Sequence, residues 1–285
     1  AWQGIRIHGT AEHPNTGSVL EHVTLEYGGR NLRHNLWLQW ADTTLAHSRV
    51  RHSSRDGLYA LDSTATLSQT VFSDNADYGV RFEHPAGKLT AAGLSAYGNG
   101  HDELALEKAT LEGDHTWQPA GIPYLLVSVP GGDAVRVTSA GTLTIAPGVE
   151  VRSQSARLHI EGTLKAIGTA AQPITFTAAA THPVPGAWRG IYIEGAAGQP
   201  NTGSALEYVT IAYGGRDATH NLHLRWAEAT LRHSTLRHSA GHGLYGEDSG
   251  ATVQATQFTG NQNYAAYFTR LRGQLNLAHL TADAN

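Results

Sequence analysis

The first 99 residues of this chain return 186 positions later. Ala1 to Asn99 aligns with Ala187 to Asn285 without a gap, and 51 of the 99 paired positions are identical. Self-similarity at a fixed period is the mark of a solenoid or tandem array, in which each unit buries its apolar face against the next. The chain opens inside the pattern, at AWQGI, and stops where the alignment stops, so it reads as a piece of a longer array.

A shorter period lies inside the long one. In NLWLQW, Leu36, Leu38 and Trp40 alternate with Asn35, Trp37 and Gln39, the pattern of a strand with one buried face. The same alternation puts Leu58 inward and Tyr59 outward, then Val80 and Phe82 inward and Arg81 outward. Trp37, Tyr59 and Arg81 are successively 22 residues apart (59 − 37 and 81 − 59). Between them, TLAHSRVRHS and TLSQTVFSDN each run from apolar and β-branched residues into a polar turn, and no segment has helical periodicity. The spacing predicts an all-β chain of parallel coils of about 22 residues or more. Residues 1–99 are expected to form the coils of one repeat unit, 100–121 a junction of less regular pattern, and 122–285 the leader strands and coils of the next unit.

Polar residues keep time with the coils. Ser53, Asn75 and Asn99, with Ser239, Asn261 and Asn285 at the matching places, are predicted to stack as an internal ladder that satisfies turn backbone groups from coil to coil.

Composition excludes several classes of function. The net charge is −4 and no basic block exists, so nucleic acid is not an expected partner. The longest apolar runs, such as YLLVSV from Tyr124, are too short to span a bilayer. With no cysteine there is no disulfide, thiolate nucleophile or Cys-ligated zinc. Histidine is abundant at 17, and His34, His47 and His52 recur as His220, His233 and His238. Repetition alone explains that recurrence, and no HExxH, calcium loop or GGxGxD repeat is present. No metal site and no cofactor are predicted.

GTLTIAPGVEV (from Gly141), LHIEGTLKAIGTAAQPITFTAA (from Leu158), WRGIYIEG (from Trp188) and ALEYVTIAYGG (from Ala205) together resemble the right-handed parallel β-helix repeat proteins of the pectate-lyase-like superfamily. The branch they resemble occurs in large bacterial surface and secreted proteins. The resemblance covers nearly the whole chain and implies that fold, with an extracellular or cell-surface location. It is weak for activity, because the motifs are core and turn positions. Gly241, His242 and Gly243 match one element of the polygalacturonase signature, but no NTD, paired Asp or RIK element accompanies them, and the first copy has Arg55, Asp56 and Gly57 there. Asp62 and Asp248 each precede Ser in a turn. No catalytic residue is assigned.

Outward positions define the candidate ligand surface. Trp37, Tyr59 and Arg81, with Arg6 before them, and Tyr192, His223, Tyr245 and Tyr267 in the second copy are predicted to form one row of aromatic and basic side chains on a single sheet. The expectation is an extracellular structural or adhesive scaffold whose partners are polysaccharide or neighbouring repeats of the same chain. The alternative is a polysaccharide hydrolase or lyase whose catalytic coil is weak or lies outside this stretch.

Overall fold

The computed structural model describes residues 2–31, 34–130 and 132–285. Among them the only helix is a 3-10 turn at Arg216–Ala218; the rest of the regular structure is strand, paired in parallel. The fold is a parallel β-solenoid with about 24 residues per turn. The mean exceeds the 22-residue spacing because some coils carry inserts. Ile5 pairs with Leu36, 31 positions on, and Leu158 with Ile191, 33 positions on.

Two compact units divide the chain: residues 1–109 with 118–125, and residues 110–117 with 126–285. In the first unit, Ile5–His8, Leu36–Gln39, Leu58–Leu61, Tyr78–Glu83 and His101–Glu107 form one sheet. Two four-stranded sheets, beginning at Asn15–Glu21 and Thr24–Glu26, complete each coil. In the second unit, one sheet runs through Val135–Val137, Leu158–Ile160, Ile191–Glu194, Leu222–Arg225, Leu244–Glu247 and Ala266–Thr269. A second extends from Asp114–Trp117 to Leu275–Ala278 and a third from Glu150–Ser153 to Thr281–Asp283.

The period of two fixes the core. Leu36, Leu58, Val80 and Leu104 lie in register and are fully buried, as are Val135, Leu158, Ile191, Leu222 and Leu244 in the second unit. Each such side chain contributes about 1.5–3 kcal/mol of apolar transfer. Phe72 and Phe82 fill the first unit; Phe176, Phe258 and Trp188 fill the second, with Trp188 Nε1 donating to the Ala212 carbonyl at 2.7 Å.

The corners explain two of the three recurring histidine pairs. His22, Tyr27, His47 and His52, and their counterparts Tyr208, Tyr213, His233 and His238, all have φ between 47° and 64°, in the left-handed region. One such residue turns the chain from strand to strand, and its N–H still reaches the next coil: His47 N donates to the Ser68 carbonyl at 3.0 Å. The strain is offset by rings that stack coil on coil, His22 on His47, Tyr27 on His52, Tyr208 on His233 and Tyr213 on His238, with centroids 4.9–5.2 Å apart. After several corners a buried hydroxyl closes the turn. Ser48 Oγ donates to the Ala46 carbonyl and accepts from Val23 N, and Ser234 repeats this with Arg232 and Val209. Asp62 and Asp248 are corner residues of the same kind, followed by Ser63 and Ser249.

Inside the coils runs a column of amides. Asn75 is buried; its Oδ1 accepts from Ser53 N at 3.0 Å, and its Nδ2 donates to the Val50 carbonyl at 3.1 Å and to Asn99 Oδ1 at 2.7 Å. Asn261 repeats the arrangement with Ser239 N (3.1 Å), the Leu236 carbonyl (3.1 Å) and Asn285 Oδ1 (2.6 Å). Asn35 and Asn221, absent from the sequence-based ladder, are fully buried members of the same column and accept from Gly28 N and Gly214 N. Ser53 and Ser239 are buried beside them, their hydroxyls accepting from Arg55 N and Gly241 N.

Candidate functional site

The predicted outward row divides into two, one in each unit and each on its own sheet. In the first unit Arg6, Trp37, Tyr59 and Arg81 are in register. The Arg6 guanidinium lies 4.3 Å over the Trp37 ring and hydrogen-bonds Gln39 at 2.7 Å. Tyr59 is half-buried, stacked on His34 at 4.7 Å, with its hydroxyl on Glu83 at 2.7 Å; burial first, then the Glu83 bond, pushes its pKa upward. Arg81 binds Glu107, and Lys108 binds Glu83 at 2.6 Å. Burial alone would raise the Glu83 carboxyl, but its bonds to Lys108 and Tyr59 hold it low. The polar ends of this row are thus already engaged within the protein.

Behind the row sits Asp56, whose carboxyl is raised to about 6 by burial. Its Oδ1 accepts from Tyr78 N at 3.0 Å, and His34 Nδ1 is 3.3 Å from its Oδ2. His242 stands at the equivalent place in the second copy and makes the equivalent bond, its Nδ1 accepting from Tyr264 N at 3.1 Å. The GHG tripeptide therefore carries a backbone cap that the first copy supplies with a carboxylate. The ring must be neutral at Nδ1 to accept, which accords with a pKa lowered by burial. His220 likewise accepts from His242 N, and burial, then His223 and His242, lower it to about 3.

In the second unit the row is longer than the sequence reading anticipated. Arg136, His159, Tyr192, His223, Tyr245 and Tyr267 occupy one register position across six strands. Tyr192 corrects an expectation: it is only 8% exposed, because Arg157 covers its ring at 4.8 Å and His159 and His223 flank it. Burial raises its hydroxyl to about 12. Tyr245 is half-buried with its hydroxyl 3.2 Å from Thr269 Oγ1, and Tyr267 is 43% exposed. Arg81, its counterpart in the first copy, pairs with Ala105 of the next strand and is half-buried. Two residues further along each strand, Glu194, Arg225 and Glu247 form a second, ionic column, with Arg225 3.1 Å from Glu194 and 3.6 Å from Glu247.

Where the two columns begin, they border a cleft of about 470 Å³ lined by Glu161, Thr163, Glu194, Gln199, Asn201 and Thr202 among others. The insert after Glu194 supplies one wall of it, and the strand that follows has a register shift between Asn201 and Ser204. His159, Glu161 and Glu194 converge at its edge, Nε2 of the imidazole lying 3.2 Å from Glu194 and 3.9 Å from Glu161. Sequence reasoning passed over these three residues. The signal was present in the paired segments LHIEG and IYIEG, in which alternation places the second and fourth residues on one outward face.

No helix among the described residues is long and apolar enough to cross a membrane. Comparison with curated proteins and with solved structures returned no match. Residues 131–281, more than half of the chain, match the family model described as the pectate-lyase like beta helix domain. The parallel coils and their stacked cores agree with that match, and the chain belongs to the pectate-lyase-like β-helix family.

Proposed function

We propose that this chain is an extracellular scaffold that binds polysaccharide along the outer face of the second unit without cleaving it. The observation that carries this reading is the cleft beside the column from Arg136 to Tyr267. Its lining of carboxylate, amide and hydroxyl groups is the hydrogen-bonding chemistry a sugar presents in return, and the adjoining rings supply apolar faces. The pectate-lyase-like fold supports a polysaccharide-related role. Against catalysis, Glu194 is tied to Arg225 and Glu161 to Arg136. Affinity in this reading comes from repetition of weak contacts, each on the order of 1 kcal/mol.

The test is retention of the full chain on immobilised pectin, polygalacturonate, alginate and xylan, with the eluted glycans assayed for unsaturated products and new reducing ends. Binding to at least one glycan without cleavage is expected, weakened several-fold by Gln199→Ala combined with Tyr245→Ala. Absence of binding to every glycan, or equal binding by the double variant, overturns the reading, and cleavage replaces it with an enzymatic one.

A further inference from the structure

The convergence of His159, Glu161 and Glu194 carries more than an ion-pair network. We infer that these three side chains form a binding site for a divalent first-row transition ion of the zinc or cobalt type. One ligand atom from each lies within 4.8 Å of the others, so side-chain shifts of about 1 Å bring all three to the 2.0–2.2 Å at which nitrogen and oxygen ligands hold zinc. One imidazole with two carboxylates suits such an ion, whereas calcium and magnesium favour all-oxygen sites.

Two further features point the same way. The first is orientation. His159 is buried, and its Nδ1 is 2.7 Å from Asp133 Oδ2, which in turn holds Arg157 at 2.9 Å. A carboxylate on one imidazole nitrogen fixes the ring and directs the other nitrogen outward, the arrangement that supports metal-ligating histidines. Here the other nitrogen faces Glu194 Oε2 at 3.2 Å and, at 3.9 Å, the Glu161 oxygen that Arg136 holds, so that an ion bound there takes Glu161 in exchange for that arginine. Arg225 sits on Glu194 Oε1, so that Oε2 is the oxygen turned to the imidazole.

The second is an unpartnered amide on the cleft wall. Asn201 is 6% exposed, and its Nδ2 donates to the carbonyls of Glu161 (2.9 Å), Gly162 (2.6 Å) and Glu194 (3.3 Å), which pins together the two strands that bear the carboxylates. Its Oδ1 has no partner. Ser204 Oγ accepts from Leu164 N, and the Asn201 oxygen keeps its lone pairs without a partner on the cleft wall.

The inference is independent of glycan binding and is read without glycan. The full chain is titrated with CoCl2 and, separately, ZnCl2 at neutral pH, following cobalt d–d absorption and binding heat, beside His159→Gln, Glu194→Gln and Asp133→Asn. One equivalent of cobalt with visible absorption is expected, displaced by zinc. The His159 and Glu194 variants should lose at least ten-fold in affinity, and Asp133→Asn, which removes only the orienting carboxylate, about 10–100-fold. His47→Gln, a corner residue distant in sequence from the cluster, should leave affinity unchanged. Far-ultraviolet circular dichroism verifies that each variant is folded. No stoichiometric binding, or binding that survives His159→Gln and Glu194→Gln in folded protein, overturns the inference and assigns the metal to exposed histidines.

Discussion

Replacing Asn261 by leucine isolates what the internal amide column contributes. Leucine has nearly the outline of asparagine but neither donates nor accepts. The change leaves Ser239 N–H and the Leu236 carbonyl without partners in a buried corner and removes the bond to Asn285. Each orphaned buried group costs about 1–3 kcal/mol, so the two together cost about 2–6 kcal/mol. Taking the middle of that range, about 4 kcal/mol, and a return of up to about 2 kcal/mol from burial of the extra apolar surface, the net loss is about 2–4 kcal/mol. For a chain of this size that lowers the melting temperature by roughly 5–15 °C. Thermal melts followed by circular dichroism measure the loss, and hydrogen exchange at Ser239 locates it. A melting temperature unchanged within about 1 °C in Asn261→Leu refutes the account, because no other group is placed to take over both bonds.

Two more perturbations follow from the same geometry. His220 is held near 3 and His34 near 4, below the unfolded value of 6.5, so the unfolded chain binds more protons and stability falls as pH drops through 6.5 toward those values, by about 2 kcal/mol for each at pH 5. Asp56, raised to about 6, contributes with opposite sign over pH 4–6; urea unfolding from pH 7 to 4 should therefore show a slope that His220→Gln and His34→Gln each flatten by a similar amount and that Asp56→Asn steepens, and a slope left unchanged by both histidine variants sinks the assignment. Gly190→Ala should destabilise by more than about 2 kcal/mol, since φ is +78° and a Cβ would collide with the His220 carbonyl, whereas Gly203→Ala, at φ +92° with open space, should show only the backbone strain of about 1 kcal/mol; equal melting temperatures contradict this reading.

The sequence carried the coil period and the direction of the core residues, because both follow from strict alternation: Leu36, Leu58 and Val80 are buried as their spacing implies. It did not carry the corners. Turn rules lead one to look for Gly or Asn in the left-handed region, and here His, Tyr, Trp and Asp occupy it, stabilised by a ring or hydroxyl in a neighbouring coil that local sequence cannot reveal. Tyr192 was misplaced for a similar reason, as the guanidinium that covers it comes from Arg157, 35 residues earlier (192 − 157). The cleft was illegible because its walls, at Glu161 to Thr163 and at Glu194 to Thr202, come from successive coils that local sequence does not bring together.

The single-residue corners also govern how such a chain can change over generations. A left-handed corner costs roughly 1–2 kcal/mol by itself and persists because the ring it carries meets another ring one coil away. Loss or gain of one residue within a coil would move every later ring off its partner and turn each inward side chain outward. Gain or loss of a whole coil leaves all those meetings intact, and an insert that loops out between two strands, such as the one before Asn201, leaves them intact as well. The two copies record that rule: nearly half of their paired residues differ, yet not one position has been added or removed between them.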